Sequence, residues 1–192
     1  MYDLRRLHSF RASCDAVMIG ANTVINDDPL LTVRYVKGPN PLRVIIDGSL
    51  KIPTTSKVIT DKSAKTIIVT SSNAPAEKIN ELMKLGTEVI RLPSLGGYRV
   101  ELADVLKLLW KRGVKRLLVE GGGNLIWGLI SRDLIDEFRI TFSPYIIGGS
   151  KAVSPVEGEG FTSRDTWVRL KLINYTICEC GNEIHLVYVP VR

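Results

Sequence analysis

Glutamine is missing from the chain, histidine occurs only twice, cysteine three times, and no apolar run nears the ~20 residues that a membrane-spanning helix needs. Each shortage excludes something. Cys14, Cys178 and Cys180 are too few and too scattered to frame a disulfide-built secreted fold. Cys178 and Cys180 would share a face in a strand, but no second pair completes a zinc site, so no metal is expected. The opening MYDLRRLHSF has neither the apolar centre nor the cleavage site of a signal peptide. A cytoplasmic protein without membrane contact is therefore expected. The absent glutamine tilts the composition towards that of thermophile proteins.

Charge is lopsided only modestly, +6 from 26 Lys+Arg against 20 Asp+Glu. That suits an anionic ligand such as a phosphate ester. A nucleic-acid surface would want a clustered basic stripe with interleaved aromatics; aromatic residues make up 7% of the chain and are spread along it. No nucleic-acid partner is expected. At 192 residues, without linker, repeat or low-complexity stretch, residues 1–192 are expected to form a single domain.

What is present reads as alternating strand and helix. YDLRRLHSFRAS suggests a helix with Leu4, Leu7 and Arg11 on one face. DAVMIG, LRVIID, KTIIVTSS, TEVIRL and KRLLVEGGG read as five strands, mostly continuous in apolar residues. ANTVINDDP is a helical turn halted by Pro29, and KIPTTSKV an extended connection. APAEKINELMKLG predicts a helix that turns Ile79, Leu82 and Met83 inward and closes at Gly86. In the next helix Leu102, Val105, Leu106 and Leu109 form an i, i+3, i+4, i+7 stripe ended by Gly113. Continuous apolar strands between helices mean a parallel sheet covered on both faces. The last third holds longer strands, with CECGNE as a hairpin turn. The expectation is a three-layer α/β/α domain, mostly parallel, with antiparallel C-terminal strands added at an edge.

Two stretches carry candidate chemistry. In VEGGGNLIWGLI three glycines join a strand to a helix, an arrangement in which backbone N–H groups and a helix N-terminus favour phosphate. A nucleoside-triphosphatase loop is excluded because no lysine is present. The dinucleotide fingerprint fails because Ile126 stands where its third glycine belongs. Asn124 would cap the helix, and an ordinary strand-to-helix turn remains open. Glu120 lies at the carboxyl end of a parallel strand, where open α/β sheets bind ligands. GANTVINDDPLLTVR, also following a strand, offers hydroxyl and carboxylate acceptors for ribose and a guanidinium for phosphate. Thr23 is equally a tolerated helix residue, and Asp28-Pro29 equally a turn opener.

These stretches also carry a resemblance. LHSFRASCDAVMIGANTVINDDPLLTVR, NPLRVIIDGSLKIP, LLVEGGGNLIWGLI and IDEFRITFSPYIIGG with the later EGEGF resemble, in order and over nearly the whole chain, the riboflavin-biosynthesis reductases. Those include the stand-alone archaeal and fungal enzymes and the reductase half of the bacterial bifunctional deaminase-reductase. The resemblance implies a dihydrofolate-reductase-like mixed sheet, a homodimer, and NADPH as hydride donor, with NADH as the alternative. It implies that Thr23 and Asp27 contact the cofactor and that Gly122, Gly123, Asn124 and Leu125 wrap its pyrophosphate. Arg11, Leu31, Arg34 and Glu120 match substrate positions, and Thr70, Ser71 and Ser72 resemble a 2′-phosphate site. The implied reaction reduces the ribosylamino side chain of a pyrimidine ribosyl 5′-phosphate to the ribitylamino form. The substrate is a diaminopyrimidinone, with the aminouracil as alternative; no side chain is singled out as catalytic acid. A relative that binds nucleotide without turnover is the competing expectation. The zinc-deaminase ligand pattern is absent, which implies reductase chemistry alone. The family's first strand, of the type V.MSLDGK.A, has no counterpart before the first helix. A sheet lacking that inner strand, in an N-terminally truncated form or with another segment in its place, is expected.

Overall fold

A computed structural model describes residues 2–149 and 152–192. Five parallel strands form the main sheet: β1 (Ala16–Gly20), β2 (Leu42–Ile46), β3 (Thr66–Ser71), β4 (Glu88–Leu92) and β5 (Leu117–Val119), in the order β4-β3-β2-β1-β5. Around them run α1 (Tyr2–Ser13), α2 (Ala21–Asp27), α3 (Lys57–Thr60), α4 (Ala76–Lys84), α5 (Leu102–Lys111) and α6 (Gly123–Ile130). β6 (Phe138–Phe142), β7 (Leu170–Ile177) and β8 (Ile184–Pro190) make an antiparallel sheet of their own, in the order β6-β8-β7. Among the described residues no helix is long and apolar enough to cross a membrane.

The period-2 alternation of β1 divides the core into two layers. Val17 and Ile19 join Ile45 and Ile68 under Val24 of α2 and Ile79 and Leu82 of α4. Ala16 and Met18 join Val44, Ile67 and Val69 under Leu102, Val105 and Leu109 of α5 and Leu125 and Leu129 of α6. Helices on both faces explain why the strands read as unbroken apolar runs. The expected α/β/α layering and the stripe on α5 hold.

Four local expectations do not. The connection around Ser56 is not extended: it closes into α3, with Asp28 Oδ1 accepting the Lys57 N–H at 2.8 Å. Met83 points to solvent, 55% exposed, because α4 rests on Ile79 and Leu82 alone. On α1 the buried positions are His8 and Arg11, whereas Leu4 is 45% exposed; polar groups fill that face because their partners lie beneath it. The antiparallel strands do not extend the main sheet as an edge. Among the described residues β5 pairs only with β1 and β6 only with β8. α1 spans the interval: Arg11 meets Glu120 just beyond β5, and Arg6 donates to Thr141 Oγ1 in β6 at 2.9 Å.

Arg43 enters β2 inside the sheet at 1% exposure. Its guanidinium donates to Asp61 Oδ1 (3.1 Å) and to the Asp61, Leu30 and Ala64 carbonyls. It thereby ties the start of the strand to the loops below it. Truncation would leave part-buried carbonyls without their donor, while the Asp61 carboxylate keeps some access to water. Arg43→Ala is expected to cost about 1–3 kcal/mol, the range for leaving such acceptors unmatched. Urea unfolding checks this through a lowered midpoint, and an unchanged midpoint refutes it.

Candidate functional site

The chain order of the main sheet reverses between β1 and β5. From β1 it runs outward through β2, β3 and β4, then returns to lay β5 on the other side of β1. At such a reversal the loops leaving adjacent strand ends diverge to opposite faces and open a crevice. Register fixes which residues border it: Ala16 pairs with Leu117, Val17 with Leu118 and Met18 with Val119. Asp15 locks the pairing from below, its Oδ2 accepting the Lys115 and Arg116 amides at 2.8 Å each. Those amides, Arg116 foremost, hold the Asp15 carboxyl below its usual range. Above, Gly20 donates to Gly121 O at 3.0 Å, so the two strand exits are stitched together.

The resulting cleft has a volume of about 1120 Å³. Both α2 and α6 begin at it, α2 directly from β1 and α6 after the short turn that follows β5. Seven of the ten sequence-predicted positions line it: Thr23, Asp27, Glu120, Gly122, Gly123, Asn124 and Leu125. Arg11, Leu31 and Arg34 do not line it. They gather beside Glu120, on the loop between α2 and β2 and on α1.

The glycine turn has an internal reason as well as room for a ligand. Gly121 takes φ +110°, a region that L side chains rarely occupy. A Cβ on Gly122 would stand 3.2 Å from Thr23 Oγ1, and one on Gly123 would stand 2.5 Å from Glu157 Cγ. Close packing of α2 and of the loop carrying Glu157 therefore demands small residues here. Asn124 does not cap the helix: Gly122 holds the N-cap position, and Asn124 Nδ2 donates to Glu157 Oε2 at 2.7 Å. Glu157 brings a carboxylate to the positive end of α6. The quoted EGEGF stretch contained this residue, but nothing in its spacing tied it to a helix formed 34 positions earlier.

A second missed residue is Asp47, one step beyond β2. It is 1% exposed and lines the cleft. Oδ2 accepts the Ile52 amide at 2.9 Å while Oδ1 is buried without a partner. Its position at a strand end beside the reversal was the available signal. The three hydroxyl residues resembling a 2′-phosphate site fare differently. Thr70 and Ser71 are fully buried and donate their hydroxyls to Gly48 O at 3.0 and 2.9 Å. Two of the three are thus engaged inside the fold rather than facing the cleft. The cations that do line it are Lys51, Arg99 and Arg132.

Beside the cleft, Arg11 grips Glu120 with two parallel bonds, Nε to Oε1 at 2.7 Å and Nη2 to Oε2 at 2.6 Å, both side chains largely buried. Nη1 donates to Thr32 O at 3.1 Å. Such forked, charge-assisted contacts fix orientation strongly. Arg11 is consequently occupied in aiming Glu120, whereas the exposed Arg34 spends only Nη1, on Thr32 Oγ1 at 3.0 Å. Leu31 is buried with φ +53° and anchors the loop that carries both Thr32 and Arg34.

His8, 1% exposed, accepts the Arg34 amide through Nδ1 at 2.8 Å. That requires the neutral ring. Burial, assisted by the Arg11 and Arg34 guanidiniums, pushes the His8 imidazole below its ordinary value of 6.5. In acid the unfolded chain takes up a proton there before the native one does, so stability falls as pH drops. The melting temperature is expected to decline from about pH 6.5 downward, and less steeply in His8→Asn. Identical pH profiles for the two proteins would contradict this.

Comparison with known proteins places these features in a family. The family model for the RibD C-terminal domain matches residues 1–186. The chain is 39% identical over 171 residues to the 2,5-diamino-6-ribosylamino-4(3H)-pyrimidinone 5′-phosphate reductase of Aquifex aeolicus, covering 89% of this chain and 75% of that one. It is 41% identical over 172 residues to the protein of the same name from Archaeoglobus fulgidus, covering 84% and 76%. Among solved structures, Acinetobacter baumannii RibD superposes with a TM-score of 0.80 at 24% identity over 99% of this chain. The chain spans about half of that longer protein, 51%; at this identity the likeness speaks for the fold.

Proposed function

The chain belongs to the RibD C-terminal domain family, and from that premise we propose that it reduces a ribosylamino to a ribitylamino side chain on a pyrimidine ribosyl 5′-phosphate. The substrate is 2,5-diamino-6-ribosylamino-4(3H)-pyrimidinone 5′-phosphate, by similarity to the Aquifex and Archaeoglobus reductases. The carrying observation is the cleft at the sheet reversal, floored by the glycine turn and bordered by a clamped carboxylate. Residues 1–192 act as one reductase domain, in the cytoplasm.

The residues suit a reduced nicotinamide dinucleotide. The start of α6 offers first-turn amides to a pyrophosphate, and Leu125 and Ile126 already bond Gly122 O at 2.9 and 3.1 Å, which leaves the earlier amides for a ligand. Thr23 and Asp27 face the same space and suit ribose hydroxyls. Lys51 and Arg99 on the cleft wall favour the additional phosphate of NADPH over NADH. When bound, the nicotinamide supplies the hydride. Glu157 shares the α6 terminus with any incoming phosphate and must swing aside or lie alongside it.

The protein's own part is positioning and charge. The ring-opened sugar presents an imine whose C1′ takes the hydride and whose nitrogen takes a proton from water or a substrate hydroxyl. Glu120, aimed by Arg11, holds the sugar hydroxyls; the negative carboxylate also favours the positive, protonated imine. Arg34 meets the 5′-phosphate, and Leu31 keeps its loop in place.

Steady-state oxidation of NADPH with the ribosylaminopyrimidine phosphate tests the proposal. Turnover to the ribitylamino product is expected; dinucleotide binding without turnover would favour a non-catalytic relative. Within that assay Arg34→Ala should weaken the phosphorylated substrate by roughly 2–3 kcal/mol, the scale of a charge-assisted bond, while sparing NADPH. Equal losses for both ligands would contradict the assignment.

A homodimer is the proposed assembly. Tyr145, Ile146, Ile147 and Val153 stand almost wholly in solvent, with Ile173, Tyr175 and Ile177 exposed along β7. A lone chain rarely leaves so much apolar surface uncovered. Light scattering should return twice the mass of one chain, and Ile146→Asp should lower it; a monomeric wild type refutes the dimer.

A further inference from the structure

One face of the β7–β8 hairpin holds a set of side chains that the proposed reduction does not use. Thr176 pairs with His185 and Ile177 with Ile184, which brings Cys178 opposite Glu183 at the turn. The Cys178 amide donates to Glu183 O at 2.8 Å, and Gly181 at φ +74° closes the loop by donating to Cys178 O at 2.8 Å. With period-2 alternation Glu183 and His185 then point to the same side as Cys178. One ligand atom from each of the three lies within 4.8 Å of the others. In a tetrahedral zinc site such atoms stand roughly 3.3–3.8 Å apart, given the usual bond lengths. About an ångström of side-chain adjustment separates the two arrangements.

Three further observations make this more than proximity. Glu183 Oε2 is buried and has no hydrogen-bond partner, a costly state for a carboxylate unless something fills the gap. His185 is 7% exposed, and its Nδ1 lies 3.2 Å from Thr141 Oγ1, directly across the strand pair. Thr141 Oγ1 also donates to Asp3 Oδ1 at 3.3 Å, and the His185 tautomer that matches this, with Nδ1–H on Thr141, leaves the Nε2 lone pair for a metal. A ligating histidine held by its other nitrogen is the usual outer-shell arrangement. Finally, Cys178 Sγ accepts the Cys180 amide at 3.2 Å, which folds the turn so that the second cysteine stands beside the first.

We propose that Cys178, Glu183 and His185 bind a zinc ion that staples the β7–β8 hairpin, with Cys180, next to Cys178 but outside that three-residue cluster, turning in as the fourth ligand. The mixed sulfur, nitrogen and oxygen set suits zinc over magnesium or calcium. Two thiolates and a carboxylate leave one negative charge beyond the divalent ion, which Arg6, close enough to feel Glu183, offsets. The site makes physical sense where it stands. β7 is exposed at nearly every position, so this small sheet has little core to hold its edge strand. A metal supplies such stabilisation directly. The sequence expectation of no metal counted cysteine pairs alone, and Glu183 and His185 lie outside that count.

The full chain, stripped with chelator and kept under phosphine reductant, is titrated with cobalt(II) and then zinc. The expected result is one cobalt per chain, with a thiolate-to-cobalt charge-transfer band in the near ultraviolet, tetrahedral bands in the visible, and displacement by zinc. Cys178→Ser and His185→Phe should lose the charge-transfer band or its tetrahedral companions. Thr141→Val should weaken binding roughly 10–100-fold, as outer-shell changes do. No charge-transfer band in the reduced wild type would overturn the site, whatever the variants do. So would a titration that Cys178→Ser leaves unchanged, or a Cys178–Cys180 disulfide found by mass in protein isolated without oxidant.

Discussion

Everything at the cleft depends on β5 lying beside β1, parallel and in register. A crossover from β4 at the far edge back to the opposite side of β1 forces two strand exits to diverge, and the crevice between them is the consequence. The register then decides chemistry. Met18 pairs with Val119, so Glu120 emerges level with the last turn of β1, and Gly20 can reach Gly121. A slip of one residue would turn Glu120 to the other face. Asp15, bonded to two amides at the foot of β5, guards against that slip.

A second constraint is electrostatic. Glu120 borders the cleft with its side chain largely buried, where an unpaired carboxylate would be costly. The Arg11 fork supplies the opposite charge and fixes the direction of the group. The cost is that α1 must bring a guanidinium beneath a loop, and His8, buried there beside two cations, is held neutral chiefly by that burial. Arg34, on the same loop but exposed, is left free to act on a ligand. Buried ion pairs are poor sources of net stability; this one is better understood as alignment.

Much of this was legible in the chain. Strand count, layer order and the α5 stripe followed from periodicity, because parallel strands covered on both faces leave a strong apolar signature. The cleft residues were legible where they sat next to a strand end, as with Thr23, Asp27 and Glu120. What escaped were facts of long-range packing. Met83 fits a helical stripe yet faces water, because only the positions of neighbouring elements decide how wide the buried face is. Thr70 and Ser71 read as ligand groups but spend their hydroxyls on Gly48, a partner that strand pairing alone supplies. Glu157 was invisible for the same reason: no local pattern announces a carboxylate whose partner is a distant turn.

The central claim is that the amides opening α6, beside the β1–β5 junction, receive the paired phosphates of a dinucleotide. Nuclear magnetic resonance of the nitrogen-15 labelled protein titrated with NADP+ tests it most directly. The account predicts saturable shifts at the amides of Gly122, Gly123, Asn124 and Leu125, with Thr23 and Asp27 following at the same concentration. Saturable shifts elsewhere, with those four amides unmoved, would contradict it.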